Sequence, residues 1–390
     1  MAALVLHASR ALTPQREIPN AAVVVEDGKI TAVGPRDEVS PPAQARELKF
    51  PGMTLVPGFV DVHIHGAGGH DVMEADGAAL AVVARTVARY GTTSLVATTV
   101  TASVDSTCHS AEVMARYIHA QCGPAPGTAA SEIVGVHFEG PFISSIRRGV
   151  QPSEWIVPPS VEAFRKMLDA ASGCARILTL APELPGALEL VDAARAAGLV
   201  VGMGHTNASY DQAQAAIRQG ACHAVHVFNA MRPFSHRETG VIGAVLTSPE
   251  VTAEVIADGV HVDVPAIRLL LAAKGTDRVV LISDGTAATG MPDGKYRLGS
   301  IEVTVAGGVC RDAEGHLAGS TLTLDRALRN IVALGAPVQD AVKMLTWNPA
   351  RLLGLEKRKG VLAPGADADL VLLDSNLKVA GVMTRGVGLA

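Results

Sequence analysis

Residues 57–69 read PGFVDVHIHGAGG, and this stretch decides how the rest of the chain is interpreted. Its apolar run ends in His63 and His65, and the glycines that follow are typical of the point where a strand stops. Side chains two residues apart on a strand point to the same face, so both imidazoles can meet one ligand. Such a pair can also be packing on a buried strand. Its position before the glycine-rich loop at 66–69 favours a metal site with close approach of a ligand to the backbone.

Four more polar residues follow apolar runs farther along the chain. They are Glu139 in VGVHFEGP, His205 in VVGMGHTNAS, His226 in HAVHVFNAM and Asp284 in VVLISDGT. Each has a structural alternative, since a glutamate can sit at the rim of a sheet and an aspartate can cap a helix or a turn. Together they predict a catalytic divalent metal site. In that site Asp284 would take a proton from metal-activated water and return it to a leaving group.

The middle of the chain alternates apolar runs with alanine-rich helical segments. Eight runs can be counted, with ends near His65, Thr99, Glu139, Pro182, His205, His226, Asp258 and Asp284. Eight strand–helix units predict a (β/α)8 TIM-like barrel in the α/β class. The polar candidates then lie at the carboxyl ends of the strands, where barrels of this kind carry their active sites.

The two ends of the chain are rich in short strands, and Asp27-Gly28 is a hairpin turn signal. Chain termini often lie close together in a domain. We therefore expect a small, discontinuous β-sandwich domain from residues 1–56 and 355–390, beside a barrel domain from residues 57–354.

Composition excludes several function classes. The 390 residues carry a formal net charge of -5 and no long basic block, which argues against a nucleic-acid partner. No run of about 18 apolar residues predicts a membrane span, and the first residues lack the features of a signal peptide. The cysteine number is odd, with no CxxC pair, which favours free thiols in a reducing cytosol. The cysteines are Cys108, Cys122, Cys174, Cys222 and Cys310. We expect a cytoplasmic protein with a small-molecule partner.

Three further histidines have weaker signals. His137 lies one layer deeper than Glu139 and is expected to pack or to contact a ligand from behind. His223 is three residues from His226, on the opposite strand face, and is interpreted as structural. His261 follows Asp258 and could polarise a substrate carbonyl or simply begin a helix.

Loop residues indicate an anionic substrate. Asn229 and the amides near Ala230 could hold an anion, and Arg237 follows shortly. Arg147 and Arg148 form a second basic spot. Each arginine alone is more often a surface charge, but together they indicate a phosphate group. The chain has no Walker or Rossmann fingerprint, so no nucleotide cofactor is implied, and it has no GxSxG nucleophile elbow.

The combination of HFEGP, GHTNA, HVFNAM and IADGVHVD resembles the amidohydrolase superfamily and, within it, the N-acetylglucosamine-6-phosphate deacetylase family. The resemblance covers nearly the whole chain, from PGFVDVHIHGAGG to GVLAPGADADLVLLD. It implies a metal-dependent hydrolase that removes the N-acetyl group from N-acetylglucosamine 6-phosphate and releases glucosamine 6-phosphate and acetate.

The resemblance also implies a ligand set for one or two divalent metal ions per subunit. The principal ion is expected on Glu139, His205 and His226. A second ion, which some members bind and others lack, is expected on His63 and His65. Zinc is the first expectation, and imidazole and carboxylate ligands also suit Fe, Mn or Co.

Substrate roles follow from the same resemblance. Asp284 is expected to be the acid and base, and His261 to contact the acetamido group. Asn229, the backbone of Ala230 and Arg237 are expected to hold the sugar phosphate. In the family this arginine and its loop act across a dimer interface, so a homodimer is implied.

One position departs from the family pattern. Relatives carry a histidine in a KGAH-like loop, where this chain has RRGVQP and places Gln151. The histidine is expected to contact a sugar hydroxyl, and glutamine can donate the same bond without carrying charge. The preferred sugar and the need for its phosphate therefore stay open. N-acetylgalactosamine 6-phosphate, N-acetylmannosamine 6-phosphate and unphosphorylated sugars are the alternatives.

Two other readings compete. The first is an amidohydrolase that acts on a cyclic amide or a deaminable base. Hydantoinase-like members of this group use a carboxylated lysine at the fourth strand. The fourth strand predicted here, RILTLAPE, contains no lysine, which argues against them. A sugar-phosphate-binding regulatory protein without activity is the other. The complete set of metal ligands together with Asp284 argues against it, because a binding protein has no need of both.

Overall fold

The computed structural model describes residues 3–121 and 128–389. In chain order its strands are β1 (Leu4–Leu12), β2 (Glu17–Glu26), β3 (Lys29–Pro35), β4 (Arg46–Pro57), β5 (Phe59–Ile64), β6 (Gly66–Ala67), β7 (His70–Asp71), β8 (Thr92–Thr98), β9 (Glu132–Glu139), β10 (Ala175–Leu180), β11 (Val200–Met203), β12 (His223–Ala224), β13 (Thr252–Val255), β14 (Val279–Leu281), β15 (Gly294–Leu298), β16 (Ile301–Ala306), β17 (Val309–Arg311), β18 (Leu370–Leu373) and β19 (Val379–Met383). The helices are α1 (Gly77–Ala88), α2 (Val104–Ala120), α3 (Val161–Ala170), α4 (Ala187–Ala196), α5 (Tyr210–Gln219), α6 (Gly240–Thr247), α7 (Val264–Lys274), α8 (Leu324–Ala333), α9 (Val338–Leu345) and α10 (Trp347–Leu352).

Eight parallel strands form the barrel, in the order β5-β8-β9-β10-β11-β12-β13-β14. The first and last strands meet beyond the end of β14, where the Asp284 amide donates to the His63 carbonyl over 3.0 Å. The His65 amide likewise donates to the Gly285 carbonyl over 2.8 Å. The predicted (β/α)8 barrel is confirmed.

The barrel strands are buried on both faces, as parallel strands covered by helices are. Every residue of β5 and β8 is buried. Sequence signals mark both ends of the helix α5. Ser209 and Gln212 form a capping box at the start of α5, and Gly220 ends it with a φ of 110°.

The eight predicted strand ends lie zero to three residues beyond the observed ends of the barrel strands. The catalytic candidates therefore sit at the last residue of a strand or just after it. All of them consequently face the same mouth of the barrel.

The two termini build one six-stranded sheet, in the order β19-β18-β4-β1-β2-β3. The predicted turn between β2 and β3 is confirmed, since Asp27 and Gly28 both have positive φ, 47° and 77°. This sheet fits the predicted terminal sandwich. The chain passes from β4 into β5 at Gly58. The domain boundaries at residues 56/57 and 354/355 stay predictions.

A buried ion cluster joins the terminal sheet to the barrel. Lys359 is 1% exposed, and its ammonium lies 2.6 Å from a carboxylate oxygen of Glu132 on β9. The same ammonium lies 2.8 Å from Asp367 and 2.6 Å from Asp369, just before β18. Pairing on several sides offsets the cost of burying this cation.

A three-stranded antiparallel sheet, β15-β16-β17, lies between β14 and α8 and was not predicted. It has one buried face, on which Leu298 and Val303 pack with Val100 of the barrel. The alternation in β16, which buries every second residue from Val303 on, is the signal that could have identified it.

No helix among the described residues is long and apolar enough to cross a membrane. The described cysteines are free thiols: Cys108, Cys174, Cys222 and Cys310. Cys122 lies outside the described residues.

Candidate active site

The strand ends bring the predicted metal ligands around one oxygen of Glu139. Its Oε1 lies 3.0 Å from Nε2 of His226 and 3.2 Å from Nε2 of His205. Nε2 of His63 lies 3.4 Å from the same oxygen. All four side chains are buried. Residues separated by up to 163 positions in the sequence therefore share one small volume.

His65, the remaining predicted metal ligand, lies beside Asp284, the predicted base. Nε2 of His65 is 3.1 Å from Oδ1 of Asp284 and 3.6 Å from Oε2 of Glu139. Nε2 of His63 is 3.6 Å from the same Asp284 oxygen. His63 consequently lies between the two groups of donors.

These donors fit a divalent metal. Ligand atoms of His63, His65 and Asp284 lie within 4.8 Å of one another, and so do those of His63, Glu139 and His226. Nε2 of His63 is fully buried and has no hydrogen-bond partner. A buried imidazole nitrogen left in this way is costly unless a ligand takes its lone pair. Imidazole and carboxylate donors are the ligands of catalytic zinc and related ions.

The electrostatics of the cluster favour a cation. Burial lowers the pKa of His63, but the charges of Glu254 and Glu139 outweigh burial and raise that pKa well above its ordinary value. Burial raises the pKa of Glu139, but His63 and His205 lower it well below its ordinary value. The cluster thus holds positive charge strongly, and a bound metal would replace protons on its imidazoles.

Contacts at Nδ1, the ring nitrogen that faces away from the cluster, fix the orientation of three imidazoles. Nδ1 of His65 lies 3.0 Å from the carbonyl of Thr98, and Nδ1 of His205 lies 3.1 Å from the carbonyl of Arg147. Nδ1 of His63 instead lies 3.0 Å from the Glu254 carboxylate. A donor bond at Nδ1 leaves the lone pair of Nε2 free for the centre of the site.

The backbone turns sharply at the ends of these strands. His205, His226, Ala230 and Asp284 have φ values of 45°, 31°, 49° and 50°. Non-glycine residues seldom adopt this region, and each such residue costs on the order of 1–3 kcal/mol. These four strained positions lie at the barrel mouth, where the chain turns toward the site.

A cavity of about 210 Å³ opens onto the cluster. Nine of the eleven predicted site residues line it: His65, Glu139, Gln151, His205, His226, Asn229, Ala230, His261 and Asp284. His63 lies beneath them, fully buried. Arg237 is exposed and does not line the cavity. A wider depression of about 860 Å³ on the terminal sheet contains Arg36 and Lys49 but none of the predicted site residues.

His261 is held by an aspartate. Its Nδ1 lies 2.7 Å from Oδ2 of Asp258, whose Oδ1 accepts from the amides of Val260 and His261, both over 2.8 Å. Burial lowers the pKa of His261, but the hydrogen bond and charge of Asp258 outweigh burial, so this pKa is raised. Nε2 of His261 is buried without a hydrogen-bond partner. His261 thus lines the cavity with a nitrogen available to a ligand.

Gln151 uses its amide within the protein. Its Nε2 donates to Oε2 of Glu139 over 2.7 Å, and its Oε1 accepts from the Thr101 amide over 2.8 Å. The expected contact with a sugar hydroxyl stays a prediction. The structure adds the hydrogen bond from Gln151 to Glu139, a metal-ligand candidate. Sequence reasoning did not predict this hydrogen bond.

The loop arginines are engaged in holding loops. Nε of Arg147 donates to Oδ1 of Asn207 over 3.0 Å, and Arg148 donates to the carbonyl of Gln151 over 3.0 Å. Nδ2 of Asn229 donates to the His226 carbonyl over 3.2 Å. The anion-binding role of Asn229, Ala230 and Arg237 stays a prediction.

His137 lies behind the ligands, as expected. Its Nε2 is 2.7 Å from Oγ1 of Thr179, and its ring packs edge-on against His63 with centroids 4.9 Å apart. Burial, followed by the charge of His63, lowers the pKa of His137 to about 3. His137 is therefore a neutral packing partner of the site.

The first residue of the glycine loop packs closely against neighbouring backbone. A Cβ at Gly66 would lie 2.3 Å from the carbonyl oxygen of His70 and 2.9 Å from the Ala287 amide nitrogen. Residues 66–69 do not line the cavity. Neighbouring backbone fills the space beside Gly66, whereas Gly69 has only a side-chain atom of Met291 nearby, at 3.9 Å, so approach of a ligand to this loop stays a prediction.

Sequence reasoning also missed six residues of the site. Five of them line the cavity: Gly149, Val150, Leu298, Leu317 and Gly319. Glu254 lies behind His63 with no exposed surface. The signal for Glu254 is a charged residue inside the apolar segment VTAEVIA, since a fully buried carboxylate needs partners.

Comparison with known proteins places this geometry in a family. The model of the amidohydrolase family matches residues 54–388, and that of a bacterial imidazolonepropionase-like composite domain matches residues 21–40. N-acetylglucosamine-6-phosphate deacetylase of Bacillus subtilis (strain 168) is 37% identical over 96% of this chain and 94% of its own. N-acetylgalactosamine-6-phosphate deacetylase of Escherichia coli O157:H7 is also 37% identical, over 98% of both chains.

A solved structure agrees with these relatives. A mutant of N-acetyl-D-glucosamine-6-phosphate deacetylase from Mycobacterium smegmatis, in complex with N-acetyl-D-glucosamine-6-phosphate, superposes with a TM-score of 0.93 and 38% identity over all of both chains. The family match, the relatives and the solved structure all agree with the cluster of imidazoles and carboxylates at the barrel mouth. The chain belongs to the amidohydrolase family.

Proposed function

We propose that the protein removes the N-acetyl group from N-acetylglucosamine 6-phosphate and releases glucosamine 6-phosphate and acetate. The observation that carries this proposal is the convergence of Glu139, His205 and His226 with His63 and His65 at the barrel mouth. Asp284 lies against that cluster. Relatives about 37% identical over most of the chain are named for this reaction.

The ligand assignments are part of the proposal. Glu139, His205 and His226 would hold the principal divalent ion, and His63 and His65 a second. Zinc is the first candidate, with Fe, Mn or Co as alternatives that suit the same donors. When bound, such an ion acts as a Lewis acid that makes water nucleophilic near neutral pH.

Asp284 would carry the proton. Burial raises its pKa, but His65 and His63 outweigh burial and lower that pKa, so its carboxylate is ionised and ready to accept. It takes a proton from the attacking water while the water oxygen bonds to the acetamide carbonyl carbon. The carbon–nitrogen bond then breaks, and the same proton goes to the departing nitrogen, which is too basic to leave as an anion.

His261 would polarise the acetamide carbonyl. Its Nε2 is buried without a partner and borders the same cavity as Asp284. Asp258 holds the ring from the other nitrogen. A fixed donor at a developing oxyanion is worth several kcal/mol in typical hydrolases, about 2.7–4.

Asn229, the Ala230 backbone and Arg237 would bind the sugar phosphate. Asn229 and Ala230 border the cavity, whereas Arg237 is exposed on the following loop. As the family resemblance implies, we propose a homodimer in which each Arg237 serves the partner subunit's site. The protein is expected to act in the cytoplasm on this small-molecule substrate.

A second candidate is deacetylation of N-acetylgalactosamine 6-phosphate. The relative named for that reaction is as similar as those named for the glucosamine compound. Gln151 near the metal-ligand candidates leaves the sugar preference open. The test compares kcat/KM for both phosphorylated sugars, N-acetylmannosamine 6-phosphate and unphosphorylated N-acetylglucosamine, with acetate as the product measured. Preference for N-acetylglucosamine 6-phosphate supports the proposal, and preference for the galactose isomer favours the second candidate.

A further inference from the structure

We propose that Glu254 is a positioning residue for the second metal ion: it fixes the His63 ring so that Nε2 presents its lone pair to that ion, and His223 holds Glu254 in place. This rests on the proposed function only in that it takes His63 and His65 as metal ligands. Glu254 does not line the cavity, so it acts through His63 and not on a substrate.

The contacts of Glu254 account for both of its oxygens. Oε2 lies 3.0 Å from Nδ1 of His63 and accepts from the His226 amide over 3.1 Å. Oε1 lies 2.7 Å from Nε2 of His223. Glu254, His63 and His223 all have 0% exposure. A row His63–Glu254–His223 thus runs from the metal-ligand cluster into the core.

An ionised carboxylate in this position is costly. The effective penalty for burying one ion is several kcal/mol, and apolar residues of similar volume are often as stable. The neighbours Ala253 and Val255 on β13 are apolar and buried. A packing role alone therefore gives no reason for glutamate here, whereas orientation of an imidazole ligand does.

The arrangement defines one tautomer. An ionised carboxylate is only an acceptor, so the proton of His63 is on Nδ1. Nε2, the buried nitrogen that lacks a partner, is then the one that gives up its proton and presents its lone pair when a metal ion binds. The corresponding nitrogens of His65 and His205 face neutral carbonyls. Among the metal-ligand candidates His63 is the one whose outer nitrogen contacts a carboxylate, so loss of the charge should act first on the ion bound by His63.

The isosteric variant Glu254→Gln tests this. Its amide oxygen can replace Oε2 and still accept from His63 and from the His226 amide. Its NH₂ group then faces Nε2 of His223. That nitrogen can accept a hydrogen bond when the His223 proton is on Nδ1, which has no hydrogen-bond partner. The variant removes the charge and keeps the hydrogen bonds.

The matched control is Asp61→Asn. Asp61 is another buried carboxylate, 1% exposed, whose Oδ1 accepts from the backbone amide of His63 over 3.3 Å. It also accepts from the Ser283 amide over 3.3 Å. It touches the backbone of His63 and makes no hydrogen bond to its ring. Burial raises the pKa of Asp61 to about 7, so the titrations are made above that pH, where Asp61 is ionised as Glu254 is. General damage from losing a buried charge would then affect both variants alike.

The experiment titrates metal-free protein with Zn²⁺ against a chromophoric chelator, and with Co²⁺ followed by visible absorption. Wild type should bind two equivalents. Glu254→Gln should keep the first affinity and lose roughly 10–100-fold in the second, with weaker visible bands from the second Co²⁺. Asp61→Asn should keep both. Two unchanged affinities in Glu254→Gln, equal losses in Asp61→Asn, or a single equivalent in wild type would each overturn the proposal.

If Glu254→Gln does not fold, the wild type provides the test. In the metal-loaded, ¹⁵N-labelled protein, the His63 ring should have a protonated Nδ1 and a metal-bound Nε2. Metal on Nδ1, or no proton there, overturns the proposal. These measurements need no substrate. A protein that binds metal in this way but releases no acetate refutes the proposed function and leaves the role of Glu254 standing.

Discussion

Gln151 and Glu139 are joined by a 2.7 Å hydrogen bond from the Gln151 amide to Oε2 of Glu139. The opposite oxygen of Glu139, Oε1, is the one that faces His226, His205 and His63. Gln151 is itself fixed by the Thr101 amide. The bond therefore holds Oε2 to the protein, while Oε1 is directed at three of the four imidazoles.

Replacing Gln151 by leucine should weaken metal binding by about tenfold, because Glu139 loses the donor that orients it. Gln151→His restores a donor and should recover most of that affinity. Chelator competition on both variants, beside KM measurements, provides the check. A raised KM with unchanged metal affinity in Gln151→Leu would contradict this and support the sugar-hydroxyl contact expected from the sequence.

Asp284→Asn should reduce turnover by roughly 10²–10⁴-fold, because the amide cannot accept and return the proton. The asparagine keeps the size of the side chain and an oxygen that can still ligate beside His63 and His65, so metal content should stay near that of wild type. Acetate release and metal content measured on one preparation test both parts. Turnover near the wild-type level would refute the assigned role.

Asp258→Asn should lower the pKa of His261, because the charge that raises it is removed. The asparagine oxygen can still accept from the Val260 amide, so the loop should keep its shape. An NMR titration of the His261 ring measures the shift, and kcat should fall while KM changes little. An unchanged His261 pKa would show that Asp258 does not govern it.

Stability should fall in acid through Glu132 and Asp367, two carboxylates of the cluster around Lys359 whose pKa values are lowered, whereas burial raises the pKa of Asp369. Burial raises the pKa of Glu132, but Lys359 and Arg358 outweigh burial and lower it. A carboxyl with a lowered folded pKa stabilises above its unfolded value, 4.5 for this group, and loses that contribution as pH falls through the folded pKa. Chemical unfolding from about pH 7 to pH 3 should show this loss.

Glu132→Gln provides the matched control for that pH dependence. The variant should be less stable than wild type at neutral pH, because Lys359 loses one of its buried partners. Its unfolding free energy should also change less between neutral pH and acid. Parallel pH profiles for the two proteins would contradict the assignment.

Much of the fold and of the site could be predicted because both follow from strand periodicity. His63 and His65, two apart, and Glu139 at its strand end required only the alternation of a strand and the common face of a barrel. Glu254 was not predicted as a site residue, because a single charge in a short apolar strand resembles a surface residue. Its partners are distant in sequence and become known only from the structure. The hydrogen bond from Gln151 depends on a loop conformation that no periodicity encodes.

The remaining differences concern local packing. Gly66 lies in a glycine-rich loop that resembles a ligand-binding loop, yet protein backbone fills the space beside it. Leu298 reaches the cavity from an unpredicted sheet. Arg237 is exposed and does not line the cavity, and the role proposed for it requires a second subunit.

The most direct test of the central claim is acetate release from N-acetylglucosamine 6-phosphate by the purified protein. It is measured before chelation, after chelation, and after readdition of Zn²⁺. The account predicts release that chelation abolishes and Zn²⁺ restores. No release from protein with demonstrably bound metal would contradict it.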